Sequence, residues 1–124
     1  MTEPNVEEFH KFAARAEEGP VVMLNLLAFV PDGGRERYGE YMRRVRPMLA
    51  EVGGTARFLG NGTELLLGTE HDRWDEVLLV EYPTRGALIA MSRSEAYQEI
   101  LPIRNGALTR SVLLACDPVA LQDE

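Results

Sequence analysis

Two polar side chains interrupt apolar segments of the sequence and are the first candidates for chemistry. Asn25 lies within Val21–Phe29, which is otherwise apolar, and Glu81 lies within Val77–Tyr82. A buried amide without hydrogen-bond partners costs about 1–3 kcal/mol, so Asn25 either pairs with protein groups or orients a ligand oxygen. Glu81 could act as a general base if it is buried, or could pair with an arginine at a solvated strand end.

Five further residues are candidates for contacts with a small molecule. Trp74, in the polar segment 70–75, could stack on a planar ligand or serve as a hydrophobic plug. Arg104 could bind an anionic group, or it could interact favourably with the C-terminus of its own helix. The other three are Tyr41, Met91 and Tyr97, and for Tyr41 and Tyr97 packing is the better explanation, because they fall at core-facing helical spacing.

The sequence lacks the strong motifs of cofactor and metal binding. A dinucleotide fingerprint that began at Gly60 and Gly62 would need a third glycine where Leu65 stands. There is no phosphate-binding loop, zinc-protease His-Glu pair or Gly-x-Ser-x-Gly elbow. His10 and His71 each lack a second imidazole at ligand spacing. We therefore expect no cofactor and no metal.

Composition favours one globular domain over residues 1–124. With 45% hydrophobic and 27% charged residues, a chain of 124 residues can form a packed core. The net charge of -7 disfavours nucleic acid and acidic membrane surfaces as partners. The single cysteine, Cys116, and an N-terminus without the features of a secretory signal favour a cytoplasmic location.

The periodicity of apolar residues predicts the elements that position these candidates. An amphipathic helix over 5–18 precedes a strand over 21–29. A second helix carries its apolar face from Tyr38 to Val52 and should kink or break at Pro47, because proline removes a backbone hydrogen bond. The strand over 21–29 is apolar at both odd and even positions, so we expect both of its faces to be covered.

The second half of the chain alternates strands with short helices. Gly60-Asn61-Gly62 predicts a hairpin between strands over 55–60 and 63–69. The remaining elements are a strand over 77–82, two short helices capped by Thr84 and Ser94 and ended by Pro102 and Gly106, a strand over 111–116 and a polar tail over 118–124.

The order of elements within residues 20–117 is that of a ferredoxin-like α+β sandwich with a split β-α-β arrangement. This fold has one mainly antiparallel sheet with helices on one face. The other face would be bare although its residues are apolar, and an identical sheet from a second chain is the simplest cover. We therefore expect a homodimer.

Several segments also carry a family resemblance: Val22–Leu27, the helix of Tyr38 and Tyr41 that runs into Val52-Gly53-Gly54, Trp74–Val77, Tyr82-Pro83-Thr84 and Ser94–Gln98. Together they resemble the domain-of-unknown-function 1330 (DUF1330) family of the dimeric α+β barrel superfamily. The resemblance implies a homodimeric barrel and no established reaction. The chain departs from the pattern at Ala28, where a basic residue is frequent, and at Ile103, where a histidine is common.

Some members of that superfamily are cofactor-free monooxygenases or haem-degrading enzymes that use an asparagine, a tryptophan and a later histidine. This chain offers Asn25 and Trp74, but no histidine follows His71. The resemblance therefore does not extend to haem chemistry, and the missing histidine weakens any acid–base proposal at that end of the pocket.

These observations predict a homodimer that binds or transforms a small organic molecule in a mostly apolar pocket between sheet and helices. As an enzyme it would use cofactor-independent proton transfer or oxygenation, with Glu81 as base and Asn25 or Arg104 stabilising an oxyanion. The alternative is a non-catalytic ligand-binding or assembly module. A third hypothesis is that the arginine-rich segment 35–46 docks a phosphorylated partner, although such helical charge runs are usually solvated.

Overall fold

A computed structural model describes residues 3–121. The elements follow in the order α1 Val6–Ala14, β1 Val21–Phe29, α2 Gly34–Glu51, β2 Thr55–Asn61, a 3-10 helix Glu70–Asp72, β3 Glu76–Tyr82, α3 Arg85–Arg93, α4 Glu95–Ala107 and β4 Leu108–Cys116. The strands form one antiparallel sheet in the order β2-β3-β1-β4. The predicted ferredoxin-like α+β fold is confirmed.

Alternation along β1 separates the two faces of the sheet. The odd-numbered side chains, including Met23 and Asn25, are buried against the helices. Their even-numbered neighbours Val22, Leu24 and Leu26 are only half-buried and point the other way. We call the first side the covered face and the second side the open face. Residues 3–121 of a single chain leave the open face partly exposed, so two-sided burial remains a prediction about assembly.

Helix α2 supplies most of the helical side of the core. Its buried residues recur every three or four positions, which is one face of a helix: Tyr38, Tyr41, Val45 and Leu49. Helix α2 is one continuous helix of 18 residues, so the expected break at Pro47 is absent. Pro47 is exposed, so water can hydrogen-bond the Arg43 carbonyl that the proline leaves unpaired. Packing of the opposite face then keeps the helix continuous.

The prediction that Pro102 ends a helix is wrong for a similar reason. Helix α4 continues through Pro102, which is exposed, as far as Ala107. The backbone then becomes extended at Leu108, so β4 begins three residues earlier than the predicted Ser111. The buried Ala107 marks the end of the helix, and its carbonyl accepts a 2.9 Å hydrogen bond from the Val30 N–H.

The predicted strand over 63–69 is also wrong. Strand β2 ends at Asn61, and the residues between it and the 3-10 helix form a loop instead of a strand on the outer edge of β2. Gly62 closes the loop by donating to the Asp75 carbonyl at 3.0 Å. A Cβ at Gly62 would lie 2.1 Å from the Trp74 carbonyl oxygen, so only glycine fits. Leu66 and Leu67 are left 88% and 92% exposed.

The N-terminal helix α1 is shorter than the predicted 5–18 and buries none of its residues. The turns that follow it are attached to the start of α3, where the Gly86 N–H donates to the Ala16 carbonyl at 2.7 Å. Residues 118–121 have no regular structure, and the rest of the predicted tail lies outside the described residues. None of the helices within 3–121 has both the length and the apolar character needed to cross a membrane.

Candidate functional site

A cavity of about 800 Å³ lies between the covered face and the helices. Ligand pockets generally measure about 300–1,000 Å³ and are mostly apolar with a few polar groups. This cavity has that character, since its apolar lining includes Met23, Val45, Leu49, Leu78, Val80 and Met91.

All four tyrosines of the sequence line this cavity: Tyr38, Tyr41, Tyr82 and Tyr97. The hydroxyl oxygens of Tyr41 and Tyr97 are 2.8 Å apart, and the two rings meet edge to face with centroids 6.2 Å apart. Burial raises the pKa of Tyr38 to about 12 and also raises the pKa of Tyr41 and of Tyr82. The hydroxyls of Tyr38, Tyr41 and Tyr82 therefore stay protonated at neutral pH and can act as hydrogen-bond donors.

Local structure explains how Tyr97 reaches the hydroxyl of Tyr41. Ser94 separates α3 from α4, and its Oγ accepts a 3.1 Å hydrogen bond from the Tyr97 N–H. The same Oγ donates to the Met91 carbonyl at 2.7 Å. One serine thus caps α4 and fixes the end of α3, which places Met91 and Tyr97 on the same cavity.

Asn25 supplies an amide from the middle of the covered face. It is 8% exposed, and its Nδ2 donates to the carbonyls of Met23 and Leu78 at 3.4 Å each. Both bonds are at the long limit for a hydrogen bond. Within the described part of the chain the amide bonds through Nδ2, so Oδ1 remains an acceptor for a ligand donor. The two sequence interpretations of Asn25 are compatible here, because backbone pairing orients the amide beside the cavity.

Arg104 adds one positive charge to the cavity wall from the last turn of α4. It is half-buried and lines the same cavity as Tyr38, and its charge lowers the pKa of that phenol against the larger effect of burial. Of the seven candidates from the sequence, five therefore share this cavity: Asn25, Tyr41, Met91, Tyr97 and Arg104.

Glu81 and Trp74 do not join the cavity, and the expectation that they line it is corrected. In β3 the even-numbered Leu78 and Val80 face the helices, so Glu81 points to the open face. There its carboxylate accepts a 3.1 Å hydrogen bond from Arg57 Nε. Trp74 lies in the loop before β3, with the Arg110 guanidinium 3.9 Å above its ring centre.

Two of the four cavity tyrosines, Tyr38 and Tyr82, were missed as site candidates in the sequence. Tyr38 precedes Tyr41 by three residues and therefore lies on the same side of α2. Tyr82 shares the even-numbered positions of β3 with the buried Leu78 and Val80. These spacings were the available signal, but without the sheet register they did not show which face was covered.

A separate polar cluster connects the segments that follow α1 and β4 to the start of α3. The Arg85 side chain is almost fully buried and donates from Nη2 to Asp117 Oδ1 at 3.0 Å. Arg15 donates to the other carboxylate oxygen of Asp117 at 2.8 Å, and the ring of Phe12 lies beside the Arg85 guanidinium. These two hydrogen bonds lower the pKa of Asp117. The cluster anchors the turn after α1 and the end of β4, so we assign it to structure.

The part of the chain that the structure describes contains no group of three His, Cys, Asp or Glu side chains arranged to hold a metal ion. The polar side chains of the cavity include four phenols, the buried amide of Asn25, the half-buried guanidinium of Arg104 and the exposed guanidinium of Arg93. They provide hydrogen-bond donors and positive charge for an organic ligand.

Comparisons with known proteins agree with the fold. A family model described as "Domain of unknown function (DUF1330)" matches residues 33–116. The chain is similar to RPA0582, a protein of unknown function from Rhodopseudomonas palustris, at 32% identity and a TM-score of 0.87, over 96% of this chain and 97% of that chain. None of the curated proteins matches this chain.

More distant structures share the fold alone. A dimeric ferredoxin-like protein of unknown function from Jannaschia sp. CCS1 is 15% identical with a TM-score of 0.63, over 81% of this chain and all of that chain. An uncharacterised NIPSNAP domain protein from Burkholderia xenovorans is 11% identical with a TM-score of 0.59, over 84% and 99% of the two chains.

Proposed function

The chain belongs to the DUF1330 family, and we propose that it is a homodimer that binds a small, mostly apolar organic molecule in the cavity beside its covered face. One observation carries this proposal, namely that the paired hydroxyls of Tyr41 and Tyr97 and the amide of Asn25 converge on a mostly apolar cavity. A few oriented polar groups in an apolar enclosure are the usual basis of small-molecule recognition.

The geometry favours binding over proton transfer. A general base must lie within hydrogen-bond reach of the proton that it removes. The phenols of Tyr38 and Tyr41 are protonated at neutral pH, and Glu81, the predicted base, lies on the open face. The carboxylates of the described cavity lining are Glu3 and Glu8, which belong to the N-terminal segment rather than to the tyrosine cluster. The non-catalytic alternative from the sequence therefore becomes the leading function.

The open face supports self-association. Its central side chains Val22, Leu24 and Leu79 are apolar and only half-buried, and Phe58 and Leu114 are each 52% exposed. A contiguous apolar surface of this kind is normally covered by a partner. A second copy of the chain is a self-complementary cover, since a two-fold axis would place equivalent residues opposite each other.

Titration with p-cresol, followed by amide and methyl NMR shifts, tests the binding proposal. We expect shifts at the Asn25 side-chain amide and the Met91 methyl group, because the ring would occupy the cavity and its hydroxyl would meet the tyrosines. Tyr41→Phe should weaken binding about 3- to 10-fold, since one hydrogen bond contributes about 0.5–1.5 kcal/mol. Trp74→Phe is the matched control, because it also alters one aromatic side chain but lies outside the cavity. Shifts confined to the open face, or no binding, would contradict the proposal.

A further inference from the structure

Building on the proposed function, we propose that the cavity selects a small organic monocarboxylate, with the carboxylate bound by Arg104 and an apolar body beside Met91.

The first argument is the charge of Arg104. Within residues 3–121 no carboxylate forms an ion pair with Arg104, although it is half-buried. Carboxylates hold other arginines of the fold in the pairs Arg35–Glu76, Arg57–Glu81 and Arg85–Asp117. A partly desolvated cation is costly unless an anion pairs with it. Because the sequence has 20 acidic residues against 13 basic ones, an arginine without a protein carboxylate in a cavity points to an anionic ligand.

The second argument is the set of donors around this charge. A carboxylate has two oxygens that can accept two parallel hydrogen bonds from a guanidinium and further bonds from hydroxyl groups. Tyr38 and Arg104 line the same cavity, and burial raises the pKa of Tyr38 to about 12, so its hydroxyl is a donor at neutral pH. Arg104 and Tyr38 together therefore match a planar anion better than a neutral carbonyl group.

The third argument concerns the distribution of charge along the cavity. Arg93 and Arg104 both line it, but Arg93 is exposed and only Arg104 is half-buried. On the N-terminal side the lining includes the carboxylates Glu3 and Glu8. A second anionic group directed toward that side would meet like charge. Because the rest of the lining is mostly apolar, a fatty or aromatic monoacid fits this distribution better than a dicarboxylate or a phosphate dianion.

Calorimetric titration of the intact protein with two matched pairs tests the inference: hexanoate against hexanamide, and phenylacetate against phenylacetamide. Each pair keeps the apolar body and removes the charge. We expect at least one acid to bind about 10-fold or more tightly than its amide, because charge-assisted hydrogen bonds are about twice as strong as neutral ones.

Three variants test whether Arg104 is the source of the preference for acids over amides. Arg104→Gln should reduce the acid-to-amide ratio to about one, and Arg104→Lys should keep part of it, because lysine retains the charge but not the planar pair of donors. Arg44→Gln is the control, since it removes the same charge from the exposed side of α2 and should leave the ratio unchanged.

The outcomes separate the two proposals. Equal affinity for acids and amides, or an acid preference that survives Arg104→Gln, overturns the inference and leaves binding of neutral ligands such as p-cresol intact. Failure of all four compounds and of p-cresol to bind overturns both proposals. The comparison of acid with amide in the unmodified protein still tests the charge preference if an Arg104 variant fails to fold.

Discussion

The two faces of the sheet are built from the same strands and differ in what surrounds them. On the covered face, Asn25 lies beside a cavity whose walls hold four tyrosines. On the open face, Leu24 and Leu79 pair across neighbouring strands and have no helix above them. Because successive strand residues alternate between faces, a single position separates a residue of the cavity from a residue of the predicted dimer interface. Whether a strand residue faces the cavity or the open face therefore depends on its position in the alternation more than on its residue type.

The largest effect should come from a charge on the open face. We expect Leu24→Lys to weaken the dimer at least about 100-fold, since an unpaired charge buried at an interface costs several kcal/mol. Light scattering coupled to size exclusion measures this change. Val119→Lys makes a similar exchange in the exposed segment after β4 and should leave the mass unchanged. A Leu24→Lys protein that remains dimeric would mean that the open face is not the interface.

The covered face should respond most to alkaline pH. The folded protein holds the Tyr38 proton up to a pKa of about 12, whereas an unfolded chain releases it near pH 10. Folding stability is therefore fully present below about pH 10 and falls by about 2–3 kcal/mol for Tyr38 as the pH rises to 12. Urea unfolding and tyrosinate absorbance over this range measure the effect. A Tyr38 that ionises at its ordinary pKa in the folded state would show that water fills its surroundings.

A smaller effect should follow from removing one hydroxyl of the tyrosine pair. Tyr41→Phe leaves the Tyr97 hydroxyl without its 2.8 Å partner and should lower the free energy of unfolding by about 1–2 kcal/mol. The double variant with Tyr97→Phe should lose less than the sum of the single losses, since no hydroxyl is then left unpaired. Strictly additive losses in urea unfolding would show that the two hydroxyls do not interact.

The smallest effect should come from the polar pair on the open face. Glu81→Gln weakens a partly exposed ion pair with Arg57, so we expect a change in unfolding free energy below about 1 kcal/mol. The affinity for p-cresol should not change, because Glu81 faces away from the cavity. A large loss of ligand affinity would restore Glu81 to the functional role that the sequence first suggested.

The sequence predicted the fold and five residues of the cavity because both depend on local periodicity. Asn25 is conspicuous in an apolar strand, and Tyr41, Met91, Tyr97 and Arg104 lie on helices with clear apolar faces. These features needed no knowledge of long-range contacts.

The errors arose where tertiary contacts decide the outcome. Whether Glu81 faces helices or a bare surface depends on which side of the sheet the helices cover, and one strand cannot show this. The run Leu65-Leu66-Leu67 has the composition of a strand, but the backbone hydrogen bond from Gly62 to Asp75 closes a loop here and the run does not pair with the outer edge of β2. Pro102 remains within a helix because it lies on the solvent side, which periodicity alone did not reveal.

The most direct test of separate functions for the two faces is the p-cresol affinity of the Leu24→Lys protein, compared by NMR with that of the unmodified dimer. We predict a folded monomer with the same perturbed cavity residues and an affinity within about 3-fold of the dimer, since about 0.6 kcal/mol is the scale of an indirect effect. A folded monomer that no longer binds p-cresol would contradict the account, because the cavity would then depend on the partner subunit.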